Sequence, residues 1–430
     1  MPRGQIQPKA LMSACVMSLL ATVGCSQSLT WLGSQSVAAW GVSADGSVVV
    51  GTAYRGYGYY YAFRWTASGG LQNLGALGGN ESEAYAVSAD GSVVVGAARN
   101  AAGYWRAFRW TASGGMQDLG ALPGVRQSWA YSVSADGSVV VGATEHPIWW
   151  NSAFRWTAAT GIQDLGALSG GTDSLAYGVS ADGSVVVGWS LNAARYWRAF
   201  RWTASGGMQD LGALPGGSLS GAYGVSADGS VVVGWSLNAA GERRPLRWTA
   251  AGAMQDLGAL PGSVWSEARG VSADGSIVVG LSGGRAFRWT ATGGMEDLNR
   301  TYARLLTQGS FLERAYAISP DGRYIVGVGR NGATGHQQAF LLDTAFPPRG
   351  DVDRNGCVDD ADLLRVLFEF GAQGYRNEDL NWDGTIDDAD LLQVLFAFGA
   401  TGLNPADLNC DGTVDDADLL TVLFNFGSGC

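Results

Sequence analysis

The sequence predicts an all-β fold, a seven-bladed β-propeller, followed by a small α-helical module. Three observations carry the prediction. First, Ser-Ala-Asp-Gly-Ser-Val-Val-Val-Gly at 43–51 returns with its Asp at positions 45, 90, 136, 182, 228 and 274, and as Ser-Pro-Asp-Gly around Asp321. Steps of 45 to 47 residues over seven copies mark a repeat architecture. Second, one unit from Ala176 to Leu214 splits into four strand-like runs, at 177–180, 184–190, 198–203 and 208–211. Four short β-rich runs per unit, punctuated by Gly, suit a propeller blade rather than a helical repeat. Third, the seventh unit supplies three runs (316–319, 323–328 and 338–342) and stops at Phe346-Pro347-Pro348. The missing outer strand stands at the other end of the chain, where Leu29-Thr30-Trp31-Leu32-Gly33 aligns with Met208-Gln209-Asp210-Leu211-Gly212. Pairing the first strand into the last blade closes the ring and leaves no open seam at the join.

Each unit is legible in turn. Ser-Ala-Asp-Gly suits a type I turn with Gly in the left-handed region, and Pro320 replaces Ala at the central position that favours Pro. Phe200 and Trp202 fall on one face of their strand, as do Phe63/Trp65, Phe108/Trp110, Phe154/Trp156 and Phe287/Trp289. These rings are expected to pack blade against blade. Arg201, Arg109 and Arg155 on the opposite face are placed to pair with Asp210, Asp118 and Asp164 on the next strand.

The loop before the third strand varies most and carries aromatic residues, so Tyr60, Trp105, Trp149, Trp150 and Trp197 form a candidate ligand rim. Exposed aromatic faces stack on sugars or bury area in a protein contact. Prolonged strand packing is the other reading of the same residues.

The repeats resemble a family of extracellular repeats named after a His-Ala-Phe tripeptide, over about 29–345. The matching places read Tyr61-Ala62-Phe63, Arg106-Ala107-Phe108, Arg198-Ala199-Phe200 and Gln338-Ala339-Phe340, without the His. The resemblance implies repeat architecture and a location outside the cell. It names no ligand.

The chain starts as an exported bacterial protein would, with Arg3 and Lys9 before an apolar stretch at 10–23, a signal peptide over 1–24. Thr22-Val23-Gly24-Cys25 resembles a lipobox with Thr at the usual Leu place, so lipid anchoring at Cys25 is a second reading. No later segment is apolar and long enough for a transmembrane helix. Extracellular or cell-surface residence follows. It permits a disulfide among Cys357, Cys410 and Cys430, with the pairing open.

Charge divides the chain. Of 38 acidic and 27 basic residues, 17 and 3 fall from Gly350 onward, leaving 21 and 24 before it. The acidic tail and the lack of a basic run exclude nucleic acid as a partner.

After a linker at 346–349, the tail at 350–430 repeats every 28 residues. Its loops place Asp351, Asp353, Asn355, Asp359 and Asp362 in the first copy, Asp379, Asn381, Asp383, Asp387 and Asp390 in the second, and Asp407, Asn409, Asp411, Asp415 and Asp418 in the third. Backbone carbonyls at Cys357, Thr385 and Thr413 fill the seventh position, and Gly the sixth. Alternating hard oxygens on a tight loop converge on one point, which is the ligand set of a calcium loop. Two to three calcium ions are therefore expected. Each loop leads into an amphipathic helix, over 359–370, 387–398 and 415–426, capped by Gly371, Gly399 or Gly427.

This tail resembles type I dockerins, whose tenth and eleventh loop residues help to choose a cohesin partner. Here they are Asp360-Ala361, Asp388-Ala389 and Asp416-Ala417, in three copies rather than two. The resemblance implies calcium binding and attachment to a cohesin-like or cell-surface protein. The expected function is a binding or interaction scaffold with a calcium-stabilised attachment module and a glycan on the rim. The alternative is an extracellular carbohydrate-active enzyme, for which Glu81, Glu83, Asp173 and Glu267 are the loop carboxylates on offer. Two His, His146 and His336, stand at unlike unit positions and give poor material for a triad or a His-based metal site.

Overall fold

The computed structural model describes residues 27–33, 36–56, 58–146, 150–250, 254–345, 352, 360–373, 379–380 and 384–397. Seven antiparallel four-stranded sheets follow one another, as the repeat predicts. Blade four is typical: Ser174–Val179 innermost, then Val185–Leu191, Trp197–Thr203 and Gly207–Asp210. The seventh blade is completed by Ser28–Trp31, which pairs with His336–Asp343 so that Trp31 faces Phe340. The same register sets Asp210 against Phe200 in blade four, so the alignment of 29–33 with 208–212 holds residue for residue.

The Val-Val-Val run is buried on both faces because each blade is packed between two others. Val186 joins a cluster with Val139 and Val141 of blade three, whereas Val185 and Val187 join one with Ala222 and Val232 of blade five. Phe200 is wholly buried, and Trp202 packs against the cluster shared with blade three. The Phe and Trp positions are thus inter-blade core.

The turn is held by its own side chains. Gly183 donates its N–H to the Ser180 carbonyl and takes φ 72°, while the Ser180 hydroxyl donates to Asp182 Oδ1 at 2.6 Å. Val185 N–H donates back to Ser180 Oγ at 2.9 Å. Blade-to-blade links run along the turns, from Ala44 N–H to the Ala89 carbonyl and onward to Ala273 N–H and the Pro320 carbonyl. Pro320 has no N–H to continue the series at the seam.

The arginine pairing differs from expectation. Arg201 lies opposite Gln209, and Asp210 lies one residue further along, opposite Phe200. A one-residue offset puts side chains on opposite faces of a sheet. Arg201 Nε instead donates to the Gly229 carbonyl in the next blade's turn, as Arg109 and Arg155 do to Gly137 and Gly183. Asp210 closes its own loop through Gly212 N–H. Arg288 does pair across its strand, because Glu296 stands where blades one to five carry Gln.

The segment between blades six and seven carries a short helix, Leu298–Thr301, and two 3₁₀ turns that the repeat does not announce. In the tail, helices at Asp360–Phe368 and Asp388–Ala397 enclose a separate small core of Val352, Val366, Ile386 and Val394. Among the described residues no helix is long and apolar enough to cross a membrane. The signal segment 1–24, Cys25 and Cys357, Cys410 and Cys430 lie outside the described residues.

Candidate functional site

The inner strands deliver one side chain per blade to the central channel, and a β-bulge aims it. In blade four the pairing passes from Ala176–Gly188 to Gly178–Val187, leaving Tyr177 as the extra residue. The same shift occurs at Trp40, Tyr85, Tyr131, Tyr223, Arg269 and Tyr316. Bulges re-aim side chains and gather next to functional sites. The glycine that ends each Val-Val-Val-Gly makes the bulge sterically feasible. A Cβ on Gly188 would stand 1.9 Å from the Leu175 carbonyl of the bulged strand. The most specific motif in the sequence thus shapes the channel.

These seven side chains form a closed circle of contacts. Trp40 meets Tyr85 at 6.4 Å between ring centroids, Tyr85 meets Tyr131 at 5.4 Å, and Tyr131 stacks on Tyr177 at 4.8 Å. Tyr177 meets Tyr223 edge-on at 5.5 Å, and the Arg269 guanidinium lies 3.9 Å over the Tyr223 ring and 6.0 Å from that of Tyr316. Tyr316 returns to Trp40 at 4.1 Å. The circle walls a cavity of about 240 Å³. A second cavity of about 210 Å³ opens on the turn side, lined by the turn alanines and Pro320. A collar of six valines and Ile318 borders both cavities.

Burial pushes the phenols of Tyr85, Tyr131, Tyr177 and Tyr223 above their ordinary range. Glu83 adds to the effect at Tyr85, whose hydroxyl donates to it, while Arg269 opposes it at Tyr177 and Tyr223. At neutral pH the circle therefore presents neutral hydroxyls and ring surfaces, with one guanidinium. Such a wall can stack on a flat ligand and donate hydrogen bonds to it.

Arg269 is held from behind by Glu267, which is wholly buried and accepts from Arg269 Nε at 2.7 Å. The other carboxylate oxygen lies 2.7 Å from Arg243 Nη2. Arg243 in turn lies 3.9 Å over Trp235 and donates to the Tyr223 hydroxyl at 3.2 Å. Trp189, from blade four, touches Tyr177, Tyr223 and Trp235. Gly221 leaves the room for this, since a Cβ there would stand 2.6 Å from Trp235 Nε1.

The rim residues foreseen from the sequence lie in separate local contacts. Tyr60 is exposed beside Tyr54, Trp105 lies under Arg99, and Trp150 meets His146. Trp149 lies outside the described residues. Trp197 alone among the described four reaches the channel group, edge-on to Trp189 at 6.0 Å. The bulge circle escaped the sequence reading, although an aromatic residue three places before the turn serine in six of the seven units was its signal. The carboxylates weighed for catalysis are dispersed: Glu81 pairs with Arg99, Asp173 accepts from Asn151 N–H, and Glu83 and Glu267 are committed as above.

In the tail, the second loop is the one partly described. Asp379 and Asp390, its first and twelfth positions, are wholly buried. Asp379 Oδ2 accepts from Gly384 N–H at 3.0 Å, and Gly384 takes φ 91°. Asp390 accepts from Leu380 N–H at 2.6 Å and from Asp387 N–H at 2.9 Å, while Asp387 Oδ1 accepts from Ala389 N–H. The last two contacts cap the N-terminus of the helix. The oxygen donor set, the buried carboxylates and the bent Gly fit a calcium loop, with Asp379, Asp387 and Asp390 as side chains available to it. Among the described residues no three His, Cys, Asp or Glu stand together as a ligand set. Asn381 and Asp383, the loop ligands Asp351 to Asp359 of the first copy and the whole third loop lie outside the described residues; Asp362, the first copy's last ligand, is described as backbone in its helix.

No family model and no curated protein matches the chain. Among solved structures it is similar to TolB from Acinetobacter baumannii, with 13% identity and a TM-score of 0.41 over 72% of this chain and 64% of that one. A putative TolB from Agrobacterium tumefaciens gives 13% identity and 0.39 over 60% and 88%. An oligogalacturonate lyase in complex with manganese gives 12% identity and 0.48 over 75% and 96%. The chain thus covers under two thirds of the first of these. The seven-bladed propeller itself stands on the strand pairing described above.

Proposed function

We propose that this chain is an exported binding scaffold whose propeller receives a ligand at the bulge circle of its central channel. The observation that carries the reading is that all seven inner strands break their pairing at the same place, to present six aromatic residues and one arginine to a shared cavity. A bulge re-aims a side chain, and a residue re-aimed in the same place in every blade gives a binding wall its lining. The tail serves as an attachment module that binds two to three calcium ions and docks on a cohesin-like or cell-surface protein. Burying the carboxylates of Asp379 and Asp390 is costly unless their charge is compensated, and calcium is the compensation that the loop spacing suits.

An array of glycans and small molecules tests the scaffold, comparing wild type with Tyr131→Ala/Tyr177→Ala and with Trp105→Ala/Trp197→Ala. Loss in the first variant alone places the ligand in the channel, and loss in the second alone returns it to the rim. Absence of any wild-type binding would sink the reading.

A further inference from the structure

Six blades give the channel a Trp or a Tyr, and one gives it Arg269. In a chain whose units otherwise copy one another, this departure comes with others on the same side. Glu267 stands two residues before it, where blades three, four and five carry Trp129, Leu175 and Gly221 and only blade two also carries a glutamate, Glu83. Trp189 and Trp235 stand where blades two and three carry Ala97 and Ala143. Arg243 and Arg269 contact the carboxylate of Glu267, and Arg314 donates to the Tyr316 hydroxyl of the circle at 3.3 Å. The sector therefore holds an excess of positive charge and of donors. The indole N–H groups of Trp189 and Trp235 and Arg243 Nε are buried with no acceptor among the described residues.

Arg269 gives its Nε and Nη2 to Glu267, and Nη1 has no acceptor among the described residues. Its plane is fixed on Tyr223 and its position by a buried carboxylate, so the free edge of the fork is preorganised toward the cavity that it lines. The hydroxyls of Tyr131 and Tyr177 are likewise without partners among the described residues and are held neutral. A space of about 240 Å³ is smaller than the ~300–1,000 Å³ of drug-sized ligand sites, so it suits one ring rather than an oligomer.

We propose that the Arg269 sector binds a carboxylate carried on a single six-membered ring, with the carboxylate on Arg269 and the ring against the aromatic wall. The inference rests on the reading of the channel as a binding site and adds the ligand's charge and size. The carboxylate ring has two sources, an aromatic acid or an acidic sugar.

Calorimetric titration of the whole chain with benzoate and glucuronate separates these sources, with benzamide and glucose as neutral counterparts. The variant Glu267→Leu/Arg269→Tyr places the Leu175 and Tyr177 of blade four into blade six, keeping a wall that the fold already tolerates. Binding of either acid, about tenfold or more weaker for its neutral counterpart and for the variant, measured below the variant's thermal transition, upholds the proposal. Benzoate alone points to an aromatic acid and glucuronate alone to an acidic sugar. Equal binding of acid and neutral counterpart, or unaltered binding by the variant, overturns it. So does a failure of both acids. If array ligands still depend on Tyr131 and Tyr177 in any of those cases, the channel reading stands without the carboxylate.

Discussion

Replacing Glu267 with Gln tests the cluster that holds Arg269. The side chain keeps its shape but loses its charge, and turns an amide NH₂ toward a guanidinium that can itself only donate. The hydrogen bonds from Arg269 Nε, at 2.7 Å, and from Arg269 Nη2 are weakened, and so is the ion pair with Arg243 Nη2 at 2.7 Å. Contacts to charged groups contribute about 1.5–3 kcal/mol each. The carboxylate is fully buried, but the Arg269 and Arg243 side chains keep 27% and 22% of their exposure, so solvent recovers part of the loss. We expect a destabilisation of about 2–3 kcal/mol, a large share of the ~5–15 kcal/mol that folded domains possess. Urea unfolding at neutral pH, followed by circular dichroism, reads it as a lowered midpoint. The Glu267→Leu/Arg269→Tyr pair should cost less than the sum of its two single changes, because each single change strands the other partner. A Glu267→Gln variant within about 0.5 kcal/mol of wild type, or additive single changes, would refute the buried and coupled cluster.

Other outcomes follow from the turns, the phenols and the tail. Gly183→Ala meets both a φ of 72° and a Cβ position 2.4 Å from Val139 Cγ2, and should cost about 2–4 kcal/mol in thermal unfolding. Gly207→Ala has φ 62° but open space and should cost about 1 kcal/mol, which separates backbone strain from the inter-blade clash. Because the channel phenols are raised, their contribution to stability is fully present below about pH 10 and is lost as the pH rises through the folded values. Ultraviolet titration should show these tyrosines ionising after the exposed ones. Partial burial would raise Asp90 and Asp182, but hydrogen bonds from Ser88 and Ser92, and from Ser180 and Ser184, outweigh it and lower them. The stability these two contribute is present above about pH 4 and is lost as the pH falls through the folded values. Asp390→Asn should reduce the calorimetric calcium stoichiometry of the whole chain by one; an unchanged stoichiometry would remove the second loop from the ligand sites.

The propeller was legible because each blade repeats the same short-range chemistry. Asp182-Gly183 announces its turn, Val185–Val187 its buried strand, and Leu29–Gly33 its place in the last blade, from local pattern alone. The Arg201–Asp210 pairing was misread because register, which a single residue shifts, is set by two strands together. The channel circle was hidden for a related reason. Tyr177 reads as an ordinary inner-strand residue until its bulge is seen, and a bulge exists only in the pairing.

By itself, then, the sequence determined the number of blades, their strand order, the closure by the first strand and the spacing of the tail's oxygen ligands. These depend on period, turn residues and alternation, which are local properties of a chain. The tertiary structure alone decided that seven distant residues meet around one cavity, that Arg269 rests on Tyr223, and that Glu267 is buried between two arginines. Those facts arise when blades some 46 residues apart in sequence close into a ring. Side chains that no local rule relates then share one desolvated space, where their charges and hydrogen bonds are decided together.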